Sequence, residues 1–153
     1  MASKIEAEIE LKSPAEKVWN NLKQFTVVFP KALPQTYERI DVLEGDGKSV
    51  GSVILSIFKE SQSVKERIEL VDDEKKILSY SFLEGEILNH FKNYKAIICV
   101  TSKSDGALIN YSAELEKADA HAPNPDFFRD FVVKLFHDFD AYLLKSSLIQ
   151  DSK

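Results

Sequence analysis

Residues 4–12 alternate strictly, with Ile5, Ala7, Ile9 and Leu11 on one face and lysine or glutamate on the other. A period of two predicts a strand with one solvated side. Ser13-Pro14 follows as an N-cap and a proline at the first helical position, with Glu16 in the first turn. Val18, Trp19, Leu22 and Phe25 give that short helix an apolar stripe. Pro30 and Pro34 bracket a second short helix or turn carrying Phe29 and Leu33. Alternation resumes at 38–44, and further strand signals follow at 52–59, 63–71, 77–83, 91–101 and 107–116, with turns at 45–51, 72–76 and 104–106. Pro123 and Pro125 then break the chain, and Asn124 supplies a cap. From 126 to about 148, apolar residues at 127, 128, 131, 132, 135, 136, 139, 142 and 143 follow helical spacing over six turns.

This order (strand, two short helices, six antiparallel strands, long helix) predicts an α+β fold in a single domain spanning 1–153. An antiparallel sheet of seven strands needs one face covered, and one helix about 10 Å wide cannot cover a curved one. The remaining volume becomes either a packed core or a cavity. Strand parity turns Val64, Glu66, Ile68 and Leu70 toward it, with Leu78, Tyr80 and Phe82 and with Tyr94, Ala96, Ile98 and Val100. In the last strand apolar parity favours Ile109, Tyr111 and Ala113, and a bulge would shift that by one. Glu66 is the anomaly, a carboxylate on an aliphatic face. A dry site raises its pKa and makes it a useful acid or base, whereas a strand-end position leaves it solvated or paired with a lysine.

Composition adjusts this picture in a few places. The 153 residues carry a net charge of −5, which argues against binding a phosphate backbone, so no nucleic-acid partner is expected. The first fourteen residues contain no hydrophobic core of a signal peptide, and no apolar run approaches the ~18 residues of a membrane span. The final Asp-Ser-Lys matches no prenylation or peroxisomal signal. With a lone cysteine, Cys99, these observations make the cytoplasm the expected location. Oligomeric state is open between a monomer and a weak dimer.

Residues 45–51 hold three of the five glycines, but a strand follows them rather than a helix. Neither phosphate-loop nor dinucleotide chemistry fits that context, so the segment reads as a structural hairpin rimming the cavity. His90, His121 and His137 have neither helical partners nor a cysteine pair, so no metal site is expected. Cys99 faces away from the cavity and lacks a base. Tyr80, Tyr94 and Tyr111 serve either as donors to a ligand carbonyl or as core residues bonded to backbone or water. Of the sixteen aromatic residues, five phenylalanines fall at 127–139. Phe136 and Phe139 read as core, and Phe127, Phe128 and Phe131 as a ligand wall or entrance.

The segments VVFPKALPQ around Phe29-Pro30-Lys31, EGDGKSVGS at 44–52, LEGEIL at 83–88 and a final helix ending Asp140-Ala141-Tyr142-Leu143-Leu144 carry a resemblance. In order and spacing the chain resembles the plant major latex proteins, a branch of the birch-pollen-allergen and class-ten pathogenesis-related (START-like) superfamily. The glycine loop has Lys48-Ser49-Val50 where the allergens carry Gly-Pro, and no tryptophan. The resemblance implies a helix-grip fold, a seven-stranded sheet wrapped around the long helix with an internal hydrophobic cavity. It implies a small hydrophobic metabolite of terpenoid, steroid, flavonoid or alkaloid type as partner, without a cofactor. By similarity the cavity would be lined by Leu22, Phe29, Phe58, Glu66, Ile68, Leu78, Tyr80, Phe82, Tyr94, Ile98, Phe128, Phe131 and Leu135. Some relatives are cofactor-free enzymes, so the alternative is a cyclase or isomerase, for example of iridoid monoterpenoids. Its proton would be moved by Glu66, Tyr80, Tyr94 or Tyr111. A protein-interaction or storage role with a filled core is the remaining reading.

Overall fold

The computed structural model describes residues 2–60 and 62–151, with side chains described for 3–60 and 62–145. The C-terminal Asp-Ser-Lys, which matches no targeting signal, lies outside them from Ser152 onward. The order is β1 (Ala2–Leu11), α1 (Ala15–Leu22), α2 (Phe25–Ala32), β2 (Tyr37–Glu44), β3 (Val53–Phe58), β4 (Ser63–Asp72) and β5 (Ile77–Gly85), continuing through β6 (Phe91–Lys103), β7 (Gly106–Lys117) and α3 (Asp126–Asp151). One antiparallel sheet runs β1-β7-β6-β5-β4-β3-β2, leaving β1 and β2 as open edges. A 3-10 turn at Glu86–Asn89, which the alternation does not signal, interrupts the path from β5 to β6.

The period-two reading holds for most of the inward face. Ile5, Ile9, Tyr94, Ala96, Ile98, Ile109, Tyr111 and Ala113 are all buried. No register shift breaks the β1–β7 ladder, so the last strand keeps its apolar parity. Leu70 departs from it. A bulge between Ile68 and Leu70 advances β4 by one residue against β5, so Leu70 is 44% exposed and Val71 packs inward. Inserting one residue exchanges the faces of everything beyond it.

Two helix boundaries also differ from the sequence reading. Ser13 does not cap α1 through its side chain: its Oγ is buried without a partner among the described residues, and Pro14 is the extended N-cap residue. The reason lies in α3, where buried Asp140 accepts the Lys12 N–H at 2.9 Å and the Ser13 N–H at 3.1 Å. A carboxylate from the far end of the chain thus holds the β1–α1 corner. Pro30 sits inside α2 rather than in front of it. A helix of eight residues loses one N–H bond to the proline, while burial of Phe25 and Phe29 and the Leu33 N–H to Phe29 carbonyl bond at 2.8 Å keep it closed.

Helix α3 lies across the sheet. Toward its C-terminal end, Lys17 Nζ donates to the Leu143 carbonyl at 2.6 Å and Phe139 packs against Phe29, ring centroids 5.1 Å apart. Toward its N-terminal end, Arg129 Nε donates to the Glu6 carbonyl at 2.9 Å, and Phe128 packs edge-on against Tyr94. No helix among the described residues is long and apolar enough to cross a membrane.

Candidate functional site

Two volumes lie between α3 and the sheet. The outer one, about 560 Å³, opens beneath the N-terminus of α3 and is bounded by the β3–β4 turn, the 3-10 turn and Pro123-Asn124. The inner one, about 80 Å³, is deeper and touches Glu66, Tyr80 and Tyr111. They share Phe58, Val64, Phe82, Phe128 and Phe131 as a common wall. The four rings form a row from β3 across the helix to β5. Centroids are 6.4 Å apart for Phe58–Phe131, 5.8 Å for Phe131–Phe128 and 6.4 Å for Phe128–Phe82. Phe82 continues the row by stacking on Tyr94 at 4.3 Å.

Only the outer volume exceeds the ~300 Å³ at which small-molecule sites begin. The inner lobe has room for two or three waters, or the tip of a ligand. The expected single large cavity is therefore divided by its own aromatic lining, because α3 brings Phe128 and Phe131 down onto the sheet at its centre.

Most of the residues assigned to the cavity do line it. Leu22, Phe29, Glu66, Leu78, Tyr80, Ile98, Tyr111 and Leu135 surround the inner lobe, and Phe127 lines only the outer volume, at 78% exposure. Ile68 and Tyr94 line neither: both are packed into the core. Phe136, read as plain core, reaches the inner lobe, as do Phe25, Tyr37 and Ser56, which parity did not single out. Phe139 is core. The outer rim was missed most heavily. Thr36 and His90 sit in turns and Gln62 in the β3–β4 connection, where alternation carries no information, and Lys59, read as the end of a strand at 52–59, lies in the turn after β3.

The glycine hairpin lines neither volume, contrary to the expectation that it rims the cavity. Gly45, Gly47 and Gly51 have φ between 80° and 91°, and a Cβ on Gly47 would come within 2.8 Å of Val42. The carboxylate of Asp46 accepts the N–H groups of Lys48 and Ser49, both at 2.8 Å, and the Ser49 hydroxyl at 2.9 Å. These bonds hold its pKa down at about 2. The donors that a phosphate would need are already taken by the loop's own aspartate.

Glu66 is 8% exposed. Ser56 Oγ donates to its Oε1 over a long 3.4 Å, and burial pushes the carboxyl up to about pKa 8. It is therefore mostly protonated at neutral pH, and among the described residues no lysine, arginine or histidine lines the inner lobe with it. Beside it, three strands bring three phenols together. The Tyr111 hydroxyl is 3.0 Å from that of Tyr80 and 2.5 Å from that of Tyr94. Burial is the main cause that raises all three above the ordinary phenol value, and it raises Tyr37 likewise. Among the described residues no group of three or more His, Cys, Asp or Glu side chains is placed to hold a metal.

Comparison with known proteins matches this arrangement. A family model for the pathogenesis-related protein Bet v 1 family matches residues 1–146. The chain is 44% identical over 147 residues to MLP-like protein 423 of Arabidopsis thaliana, covering 94% of this chain and 95% of that protein. The chain belongs to the major latex protein branch of the Bet v 1 family. MLP-like protein 31 of the same plant is 31% identical over 94% of this family member and 87% of its own length. Among solved structures, ginseng major latex-like protein 151 from Panax ginseng superposes with a TM-score of 0.82 at 25% identity, covering 94% and 98% of the two chains. Norcoclaurine synthase from Thalictrum flavum, in complex with dopamine and hydroxybenzaldehyde, shares the fold at a TM-score of 0.68 and 22% identity, over 100% and 89% of the chains.

Proposed function

We propose that this protein binds a small, mostly apolar metabolite whose body occupies the outer cavity against the aromatic row. The observation that carries the reading is a volume of about 560 Å³ faced by Phe58, Phe82, Phe127, Phe128 and Phe131. At ~25 cal/mol per Å², burying ~300 Å² of ligand carbon offers on the order of 7 kcal/mol before binding costs, enough for micromolar affinity. A filled, purely structural core does not leave such a volume open.

The test uses N-phenyl-1-naphthylamine, a neutral fluorescent probe, titrated into the wild type and into Thr36→Trp, which narrows the outer cavity at its rim. Saturable one-to-one binding, weakened tenfold or more by the tryptophan, supports the reading. Equal binding by both proteins, or none by either, refutes it. Native mass spectrometry of protein recovered from its own tissue identifies the occupant.

Glu66 favours a second reading. A carboxyl protonated at neutral pH and next to a phenol chain can deliver a proton to a bound substrate, and the fold also houses norcoclaurine synthase. In that case the protein is a cofactor-independent cyclase or isomerase that holds its substrate in a reactive conformation. Product formation from candidate enals, lost in Glu66→Gln while probe binding persists, supports catalysis. Turnover unaffected by that substitution removes Glu66 from it.

A further inference from the structure

The inner lobe is too small for a whole ligand, and its mostly apolar lining includes Ser56, Glu66, Tyr80 and Tyr111. Glu66 is more than nine-tenths buried, and its one hydrogen bond among the described residues, with Ser56, falls on Oε1. With Ser56 on Oε1 and no described protein group bonded to Oε2, the neutral carboxyl has Oε2 free to carry its proton toward a guest in the lobe that Glu66 lines. The phenols add a second donor. Three hydroxyls carry three protons but make only two bonds with one another, so one proton is spare. Tyr80 and Tyr111 face the lobe and Tyr94 does not, so a spare proton on either of the first two can be used by a guest. Two donors converge on about 80 Å³ without a cation in the lining.

We propose that the inner lobe is a selectivity pocket for the uncharged carbonyl tip of the ligand, received by Glu66 and the Tyr80–Tyr111 pair, and that it rejects carboxylates. This rests on the binding reading above and names the ligand class. A carbonyl oxygen accepts both donors. A carboxylate would accept the same two donors but meet no cation in the lining, and two neutral donors do not offset the cost of burying its charge. Phe131, at 38% the most exposed of the four shared rings, lines both volumes.

Three probes of one shape test this: 4-(2-naphthyl)butan-2-one, 3-(2-naphthyl)propanoate and 2-(3-methylbutyl)naphthalene. Each is titrated in competition with N-phenyl-1-naphthylamine at pH 6.5. The wild type is expected to prefer the ketone to the carboxylate by tenfold or more. Glu66→Leu should weaken the ketone five- to tenfold, the worth of one buried hydrogen bond, while changing the hydrocarbon less than twofold. Tyr80→Phe should weaken the ketone in the same selective way. Glu66→Gln keeps a donor and the shape, so it retains the ketone. Raising the pH to 9.5 should weaken the ketone in the wild type but not in Glu66→Gln. The other titratable groups around Glu66 are Tyr37, Tyr80, Tyr94 and Tyr111, all raised above the ordinary phenol value. Equal factors for all three probes in Glu66→Leu, or a carboxylate preferred to the ketone, overturn the inference and leave the cavity reading standing. No saturable binding of any probe overturns both.

Discussion

The cost of keeping Glu66 where it is can be measured by replacing it with glutamine. Burial moves its carboxyl from an ordinary 4.5 to about 8. Below pH 4.5 the group is protonated in both folded and unfolded chains and costs nothing differential. Between 4.5 and 8 the unfolded chain ionises while the folded one stays protonated, so the folded state loses about 1.4 kcal/mol per pH unit. Above 8 the loss levels off at about 5 kcal/mol, and at pH 7 it is about 3 kcal/mol, both upper bounds because water entering the lobe lowers them. Glutamine does not titrate, so the stability of Glu66→Gln relative to wild type should climb by about 2–4 kcal/mol from pH 5 to pH 8. Groups common to both proteins cancel in that difference. Urea unfolding reads it through the single tryptophan: Trp19 is 2% exposed, its indole donates to Asp73 at 2.8 Å, and its emission shifts when it meets water. A difference that stays flat within about 0.5 kcal/mol across that range would refute the argument that Glu66 is held neutral by a dry site.

Other expectations follow from individual hydrogen bonds. Asp140→Ala leaves the Lys12 and Ser13 N–H groups without their acceptor, and should cost about 2–4 kcal/mol in urea unfolding, with Asp140→Asn recovering part of it. Tyr111→Phe removes the middle hydroxyl of the phenol chain and strands two buried partners, so it should cost about 1–3 kcal/mol and exceed Tyr80→Phe, which removes an end. A larger loss for Tyr80→Phe would contradict the chain order. Asp46→Ala should accelerate hydrogen exchange at the Lys48 and Ser49 amides while leaving the sheet amides unchanged. In the wild type the same protection is present above an ordinary 3.8 and fades as pH falls toward 2, because protonation removes the charge those amides bond.

The strand faces were legible from alternation because the signal is local: a side chain's side of the sheet follows from its own two neighbours. That is why Glu66 stood out as a carboxylate on an apolar face before any partner was known. Leu70 shows the limit. Its exposure depends on a bulge against β5, a property of two strands and not of one. Asp140 shows it again: helical spacing does not set it apart from its acidic neighbour Asp138, and only the docking of α3 onto the β1–α1 corner makes it a buried acceptor. The rim in the turns left no periodic trace at all.

The sequence alone determined the element types, their order, the faces of most strands and the family, since period, capping residues and motif spacing are read along the chain. The tertiary structure decided how sixteen aromatic residues divide the interior. Phe58 from β3, Phe82 from β5 and Phe128 and Phe131 from α3 meet as a partition. Tyr80, Tyr94 and Tyr111 from three neighbouring strands meet as one hydrogen-bonded chain. These meetings depend on register, bulges and the height at which α3 sits over the sheet. All three are set by packing between residues far apart in sequence, where no local pattern reaches.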